Sequence, residues 1–451
     1  MTVLPSPESL FSGLAPRGIV TVAVSGGGDS LALLLLAHAW AQTSGATLHA
    51  VTVDHGLRPE AAAEAAFVAG MSEGLDIDHT TLGWEGIKPF SGIADAARRA
   101  RYQLIEEFAQ AIGSDLILTG HTADDQAETV YMRLMREAPG DHGSATSLGR
   151  GLAGIARTSL LPGGTMLARP LIGVSRRQLR AYLRSLPQSW IEDPTNEDTT
   201  YERVRVRAII AAGPQLRARL IGLAGVMARM RAQLSREAAA LLSRATTVRP
   251  GPVFLFDAGW ARQRPEPVYH FALQVLIALA GGEEHLVARS RIAALAARLA
   301  GPATAKMTLG GAVIEKAGKS ARIYREMRNM RSAQVEPGEK YVWDGRLEIV
   351  NRGRETVHVG PLSVVGLDRL EKQRARPIVA RPRAALHSTA MVRAGRQVFL
   401  PQVESDDGRG PVAARITARA IEHYCADSDF PILEWIRALD IERKAFLLPR
   451  P

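Results

Sequence analysis

The chain reads as an α/β protein: a doubly wound, mainly parallel sheet, then a helical domain and a small α+β C-terminal domain. Between residues 19 and 136, short β-rich runs alternate with longer helical ones, the order of a parallel sheet with helices on both faces. Residues 215–330 carry long helical patterns, and residues 339–451 turn to short strands. A glycine-rich turn, Ser25-Gly26-Gly27-Gly28-Asp29-Ser30, joins the first strand to the first helix.

The elements follow in order. Strands are expected over Ile19–Val24, Leu48–Val53, Ile77–Leu82 and Leu116–Thr119, each followed by a helical pattern: Ser30–Gln42, Glu60–Glu73, Ile93–Ala111 and Asp125–Arg136. Residues 138–168 break this pattern with many glycines and prolines, and so long an irregular stretch beside a cleft is a candidate lid. Met166–Leu171 reads as a last strand and Ser175–Leu186 as a helix. Gly213-Pro214 interrupts the chain before helical patterns such as Leu216–Ala245 and Pro267–Leu279. A Ser332–Gly338 linker leads to strands at Lys340–Trp343, Leu347–Val350 and Val398–Pro401, with helical pieces after Ala413. Three domains result, 1–212, 213–331 and 339–451.

Composition narrows the class. A chain of 451 residues with 46% apolar content can bury real cores. Its one cysteine, Cys425, excludes a disulfide framework or a cysteine-ligated cluster within the chain and points to the cytoplasm. No apolar run reaches the ~20 residues that span a bilayer, so no membrane partner is expected. The net charge is +10, and residues 145–235 hold fourteen arginines, no lysine and five acidic residues. A polyanion is the natural partner of that stretch, although the arginine-rich, lysine-poor composition of the whole chain accounts for part of the bias.

The glycine turn is built for phosphate. Glycines let several backbone N–H groups close on an anion, and the following helix aims its positive dipole end at the same spot. Ser25 and Ser30 add hydroxyl donors, and Asp29 is placed to hold a divalent cation on the phosphates. A Walker loop would need Gly-Lys-Ser/Thr, and a dinucleotide fingerprint would need glycine where Leu31 stands. Ligands of such sheets bind at the carboxyl ends of the strands, where Asp54–Arg58 and Gly120–Glu128 also lie. These segments should converge on one cleft.

Within Asp124-Asp125-Gln126-Ala127-Glu128, Asp125 and Glu128 share a helix face and together suit a cationic group. The same spacing suits a structural role, because Thr122 and Asp125 resemble a capping box. Arg101 lies in an amphipathic helix, where an arginine is ordinarily a solvated face or an ion pair. Trp190–Asn196 reads as a turn into a helix bearing Tyr201, Arg203, Arg205 and Arg207, arginines suited either to RNA phosphates or to neighbouring acids.

The loop, read as SGGxDS, resembles that of the N-type ATP pyrophosphatases (the PP-loop superfamily), which cleave ATP to AMP and pyrophosphate while adenylating a substrate. With Val53–Arg58, Ala97–Tyr102, Gly120–Thr129 and Trp190–Asn196 following in order, the chain looks like the tRNA(Ile)-lysidine synthetases, closely over residues 19 to about 210. The resemblance implies a catalytic domain over 1–212, tRNA contact by 213–331 and tRNA handling by 339–451. It implies ATP and Mg2+ on Ser25, Gly26, Gly27, Gly28, Asp29 and Ser30, with Asp29 as the metal ligand and Asp54 and His55 near the adenosine. It further implies L-lysine held by His121, Asp125 and Glu128, with Arg101, His121 and Asp125 as catalytic residues. The partner it implies is tRNA(Ile) with a CAU anticodon, contacted by Arg203, Arg205 and Arg207; a homodimer is among the expected assemblies. Thr122 departs from the histidine often found there. A sulfur-inserting relative would bring catalytic cysteines, a small-molecule synthetase would not need the basic stretch, and a non-catalytic tRNA-binding protein would not keep the loop together with Asp125 and Glu128.

Overall fold

The computed structural model describes residues 4–16, 18–57, 60–86, 88–136, 149–186, 188–192, 199–249, 253–362, 366–367, 370, 383–395, 397–400, 412–417, 421 and 425–447. They form two compact units, one of residues 1–231 with 424–428, the other of residues 232–423 with 429–451.

The first unit opens with α1 (Pro7–Leu10), β1 (Ile19–Ala23), α2 (Gly28–Ser44), β2 (Thr47–Asp54), α3 (Ala61–Glu73) and β3 (Asp78–Gly83). It continues with α4 (Ile93–Ala111), β4 (Leu116–Thr119), α5 (Ala123–Arg136), α6 (Gly149–Leu152), β5 (Thr158–Leu160) and β6 (Met166–Ala168). Three helices complete it, α7 (Arg176–Arg184), α8 (Glu202–Ala212) and the start of α9 (Pro214–Ala245). The seven-stranded sheet has the order Cys425–Ala426, β5, β6, β4, β1, β2, β3. From β6 to β3 all pairings are parallel, and the two strands at the other edge are antiparallel.

This order makes β1 a switch point. The chain leaves β1 toward β2 and β3, then returns to lay β4 on its other side, so a crevice opens past the carboxyl ends of β1 and β4. Helices cover both faces. On one, Val20 and Val22 pack with Leu31, Leu33, Leu34, Leu179 and Leu183; on the other, Val51, Ile117 and Leu167 pack with Tyr102, Ile105 and Ala109 of α4. α2 is apolar on all sides because it lies between the sheet and α7. Each such leucine contributes about 1.5–3 kcal/mol by leaving water.

The sequence expectations hold well here, with shifts of a residue or two at the ends. Of the stretch 138–168, residues 138–148 lie outside the described residues, and the rest is structured. Gln126 bonds both the carbonyl and the N–H of Ile155, and Arg133 bonds the carbonyls of Gly151 and Gly154, so α5 pins this segment rather than leaving it a long irregular loop. The expected strand Met166–Leu171 ends at Ala168, because Pro170 opens a 3-10 turn, Pro170–Gly173.

Residues 213–331 differ more. Besides α9 and the helices Glu266–Gly281 and Arg289–Ala300, they carry a five-stranded antiparallel sheet. Its strands are β7 (Thr246–Arg249), β8 (Val253–Phe256), β9 (Ala305–Leu309), β10 (Ala312–Ala317) and β11 (Ser320–Arg325), in the order β7-β8-β11-β10-β9. The expected Ser332–Gly338 linker contains a strand, Ala333–Val335, paired with Val357–Pro361. Lys340–Trp343 and Leu347–Asn351 form a hairpin extended by Val412–Ile416, around the buried Trp343. Phe430–Leu447 is helical. No helix among the described residues is long and apolar enough to cross a membrane.

Candidate active site

The phosphate loop closes on itself without using its helix N-terminus. Gly26 takes a left-handed φ of +81°, Gly27 precedes the first turn of α2 with no side-chain cap, and the leading N–H groups of the helix face the crevice with no intrahelical acceptor. Ser30 Oγ donates to Gly27 O at 2.9 Å and accepts from Ser25 N at 3.1 Å, which fixes the turn. A Cβ at Gly120 would stand 2.9 Å from Asp29 O, so the end of β4 approaches the loop as only glycine allows.

A strap covers the loop from outside. Ile191 N–H donates to Gly26 O at 3.0 Å, and a Cβ at Gly26 would meet Ile191 Cδ1 at 2.8 Å. Trp190–Glu192 is therefore a latch on the loop; residues 193–196 of the same motif, like Arg58, lie outside the described residues.

The loop opens into a cavity of about 700 Å³ whose walls include Ser25, Asp29, Arg101, His121, Asp125, Arg176 and Arg203. Its apolar wall is made by Val51, Val53, Tyr102 and Ile105. Asp125 and Glu128 do share one face of α5, and both are buried. Thr122 donates its N–H and its hydroxyl to Asp125 Oδ2 at 2.8 and 2.7 Å and accepts Asp125 N–H at 3.3 Å, so the capping role and the site role fall on one carboxylate. Its other oxygen, Oδ1, receives Arg176 at 2.5 Å and Arg203 at 2.8 Å. Glu128 receives Arg176 at 2.5 Å, Arg203 at 2.8 Å and Arg207 at 3.3 Å. Burial works against ionisation of Asp125, but Arg176, Arg203 and the Thr122 bonds outweigh it and hold its pKa below the ordinary value.

His121 follows β4, its Nδ1 at 3.0 Å from Thr119 Oγ1. Burial, with Arg169 adding to it and Asp125 opposing it, pushes its pKa down to about 3, so the imidazole is neutral at physiological pH. Arg101 donates to His55 Nε2 at 3.3 and 3.0 Å, while Trp84 sets its ring edge-on to His55. Asp54 Oδ1 accepts Gly56 N–H at 2.7 Å, a turn-forming bond, and neither Asp54 nor His55, expected near the adenosine, lines the cavity.

The arginines of α8 separate by face. Arg203 and Arg207, one turn apart, reach the carboxylates, whereas Arg205 donates to the carbonyls of Thr199 and Thr200. Arg176 was not singled out from the sequence. The available signal is its position: Ser175 and Gln178 form a reciprocal capping box, so Arg176 sits in the first helical turn, where the helix dipole disfavours a cation unless acids answer it. Among the described residues, no group of three or more His, Cys, Asp or Glu is gathered as a metal cage.

A PP-loop domain model matches residues 8–213. The tRNA(Ile)-lysidine synthase of Rhizobium meliloti (strain 1021) is 38% identical over 347 residues, 76% of this chain and 75% of the relative. Those of Mesorhizobium japonicum and Brucella melitensis biotype 2 are 41% and 35% identical, covering 88% and 96% of this chain and 87% and 97% of theirs. With the loop, Arg101, His121 and Asp125 around one cavity, and with this identity over most of both chains, the protein belongs to the tRNA(Ile)-lysidine synthase family.

Proposed function

We infer that the protein uses ATP to join L-lysine to C2 of the wobble cytidine of tRNA(Ile) with anticodon CAU. It makes lysidine through an adenylated tRNA and releases AMP and pyrophosphate. The observation that carries the reading is the meeting, at one cavity, of the anion cradle and Asp125, with the buried Glu128 behind it on the same helix face and bonded to the same two lining arginines, Arg176 and Arg203.

The cradle binds the triphosphate through backbone N–H groups and the α2 dipole, and the wall of Val51, Val53 and Ile105 suits the adenine. The cytidine C2 oxygen attacks the α-phosphorus and pyrophosphate leaves; the base is now joined to a good leaving group. Arg101, at the cavity wall, neutralises the charge that develops on the phosphoryl oxygens. Burial raises the pKa of Asp29 despite Arg176, with Asp125 adding to the rise, so this carboxylate is short of positive charge and fits a hard cation. A Mg2+ held by Asp29 would supply that charge.

The lysine amine must then lose a proton, against an ordinary pKa of about 10.4, before it attacks C2 and expels AMP. His121 and Asp125 hold their protons too weakly to be strong bases, so their part is to hold and orient the amino acid as neutral acceptor and fixed anion. Desolvation of the amine in the cavity lowers its pKa.

Purified protein with ATP, Mg2+, radiolabelled lysine and tRNA(Ile) carrying CAU should transfer label to the tRNA and release one pyrophosphate per lysine. No transfer under these conditions rejects the reading. For tRNA binding, Arg205→Ala should reduce the slope of log affinity against log salt by about one, the loss of one phosphate contact. Arg203→Ala should instead leave the slope unchanged, because its guanidinium is committed to the acids. A salt slope lowered by Arg203→Ala and not by Arg205→Ala would reverse this division.

A further inference from the structure

One guanidinium ties the phosphate loop to the acidic pair. Arg176 Nε donates to Asp29 Oδ2 at 3.0 Å, while its two terminal nitrogens donate to Glu128 Oε1 and Asp125 Oδ1, each at 2.5 Å. Its backbone N–H is fixed as well, by Asp124 Oδ2 at 2.8 Å. The side chain is 18% exposed, so these bonds form where water screens them little.

The acids are saturated with cations. Glu128 meets three arginines and Asp125 two, besides the bonds from Thr122. A further ammonium group cannot reach them until one guanidinium withdraws. Arg203 and Arg207 share α8 and both reach this pair. Arg176 differs, since its Nε already lies on Asp29 in the phosphate loop, where an incoming triphosphate brings several negative charges.

We propose that Arg176 is a positioning residue that couples the two halves of the cavity. Without nucleotide its guanidinium stands in for the ammonium group of an amino acid on Asp125 and Glu128; phosphates in the cradle draw it off these two acids toward the loop and open them to lysine. Lysine binding therefore follows nucleotide binding, and by linkage each ligand tightens the other by the same factor. The inference rests on Asp125 and Glu128 forming the lysine site.

Equilibrium dialysis of radiolabelled L-lysine against the full chain tests it, with and without Mg2+ and an ATP analogue whose α,β bridge resists cleavage. Wild type should bind lysine at least about tenfold more tightly with the analogue. In Arg176→Gln the nucleotide-free affinity should rise toward the wild-type value with analogue, and the dependence should fall below about twofold. Arg176→Lys, whose single ammonium cannot span three carboxylates, should fall between them, and it carries the test alone if Arg176→Gln does not give a cooperative melt. Equal lysine affinity in wild type with and without analogue overturns the proposal, as does no lysine bound with the analogue present. A tenfold dependence that persists in both Arg176 variants, while Glu128→Gln loses lysine, overturns the coupling and leaves the site assignment standing. Glu128→Gln binding lysine as wild type does removes the site, and the coupling with it.

Discussion

Gly120→Ala is expected to abolish pyrophosphate release, by at least about a hundredfold, the loss that a displacement near one ångström in a reacting site brings. The added methyl would lie 2.9 Å from Asp29 O, 3.1 Å from Asp29 C and 3.1 Å from Ser30 Cα, all backbone, so no side chain can yield. Either the end of β4 or the start of α2 must move, and both carry the site. Overpacking of this kind also costs about 1–3 kcal/mol of stability. Gly70→Ala, in the middle of α3 with nothing within 4 Å of the new methyl, is the matched comparison. It should gain up to about 1 kcal/mol through helix propensity and keep full activity. ATP cleavage by Gly120→Ala within tenfold of wild type would show that the β4 contact does not set the cradle.

Glu128→Gln should separate the two chemical steps. The side chain is fully buried and answers Arg176, Arg203 and Arg207 together, so removing its charge leaves cations short of a partner and should cost about 3–5 kcal/mol, seen as a lower melting temperature. At temperatures where the variant stays folded, pyrophosphate release should persist, because the cradle keeps Asp29 and its glycines. The lysine requirement should rise by roughly 10–150-fold, the weight of one charged hydrogen bond worth about 1.5–3 kcal/mol. Equal loss of adenylation and lysine transfer would mean that Glu128 serves the whole cavity rather than the amino acid.

Much of the first unit was legible because local signals and tertiary placement agree there. The run Ile19–Val24 ends at glycines, and the apolar helix behind it begins where the glycines stop, so strand, loop and helix could be read within a residue or two. Asp125 and Glu128 were legible by their spacing on one face of α5. The strands between residues 246 and 325 were missed because alanine- and leucine-rich neighbours suggest helix, although Gly310-Gly311, both at positive φ between β9 and β10, is a two-residue hairpin signal of the primed type. The ion-pair duty of Arg203 and Arg207, and all of that of Arg176, depend on partners 48–147 residues away in the chain, which no local pattern encodes.

The outermost strand of the catalytic sheet, Cys425–Ala426, carries a consequence for biosynthesis. It pairs with β5, and the Asp427 carboxylate beside it accepts from both the N–H and the hydroxyl of Thr158, across 269 residues of sequence. At about 5–20 residues per second, the ribosome delivers that strand roughly 15–55 s after β5 has emerged. During this interval the nascent enzyme holds its nucleotide-binding half with β5 as a raw β-edge, the kind of surface that invites pairing with other chains. A cell making this enzyme must shield that edge until Cys425–Ala426 has been made, and a gene cut after α9 would leave it bare for good.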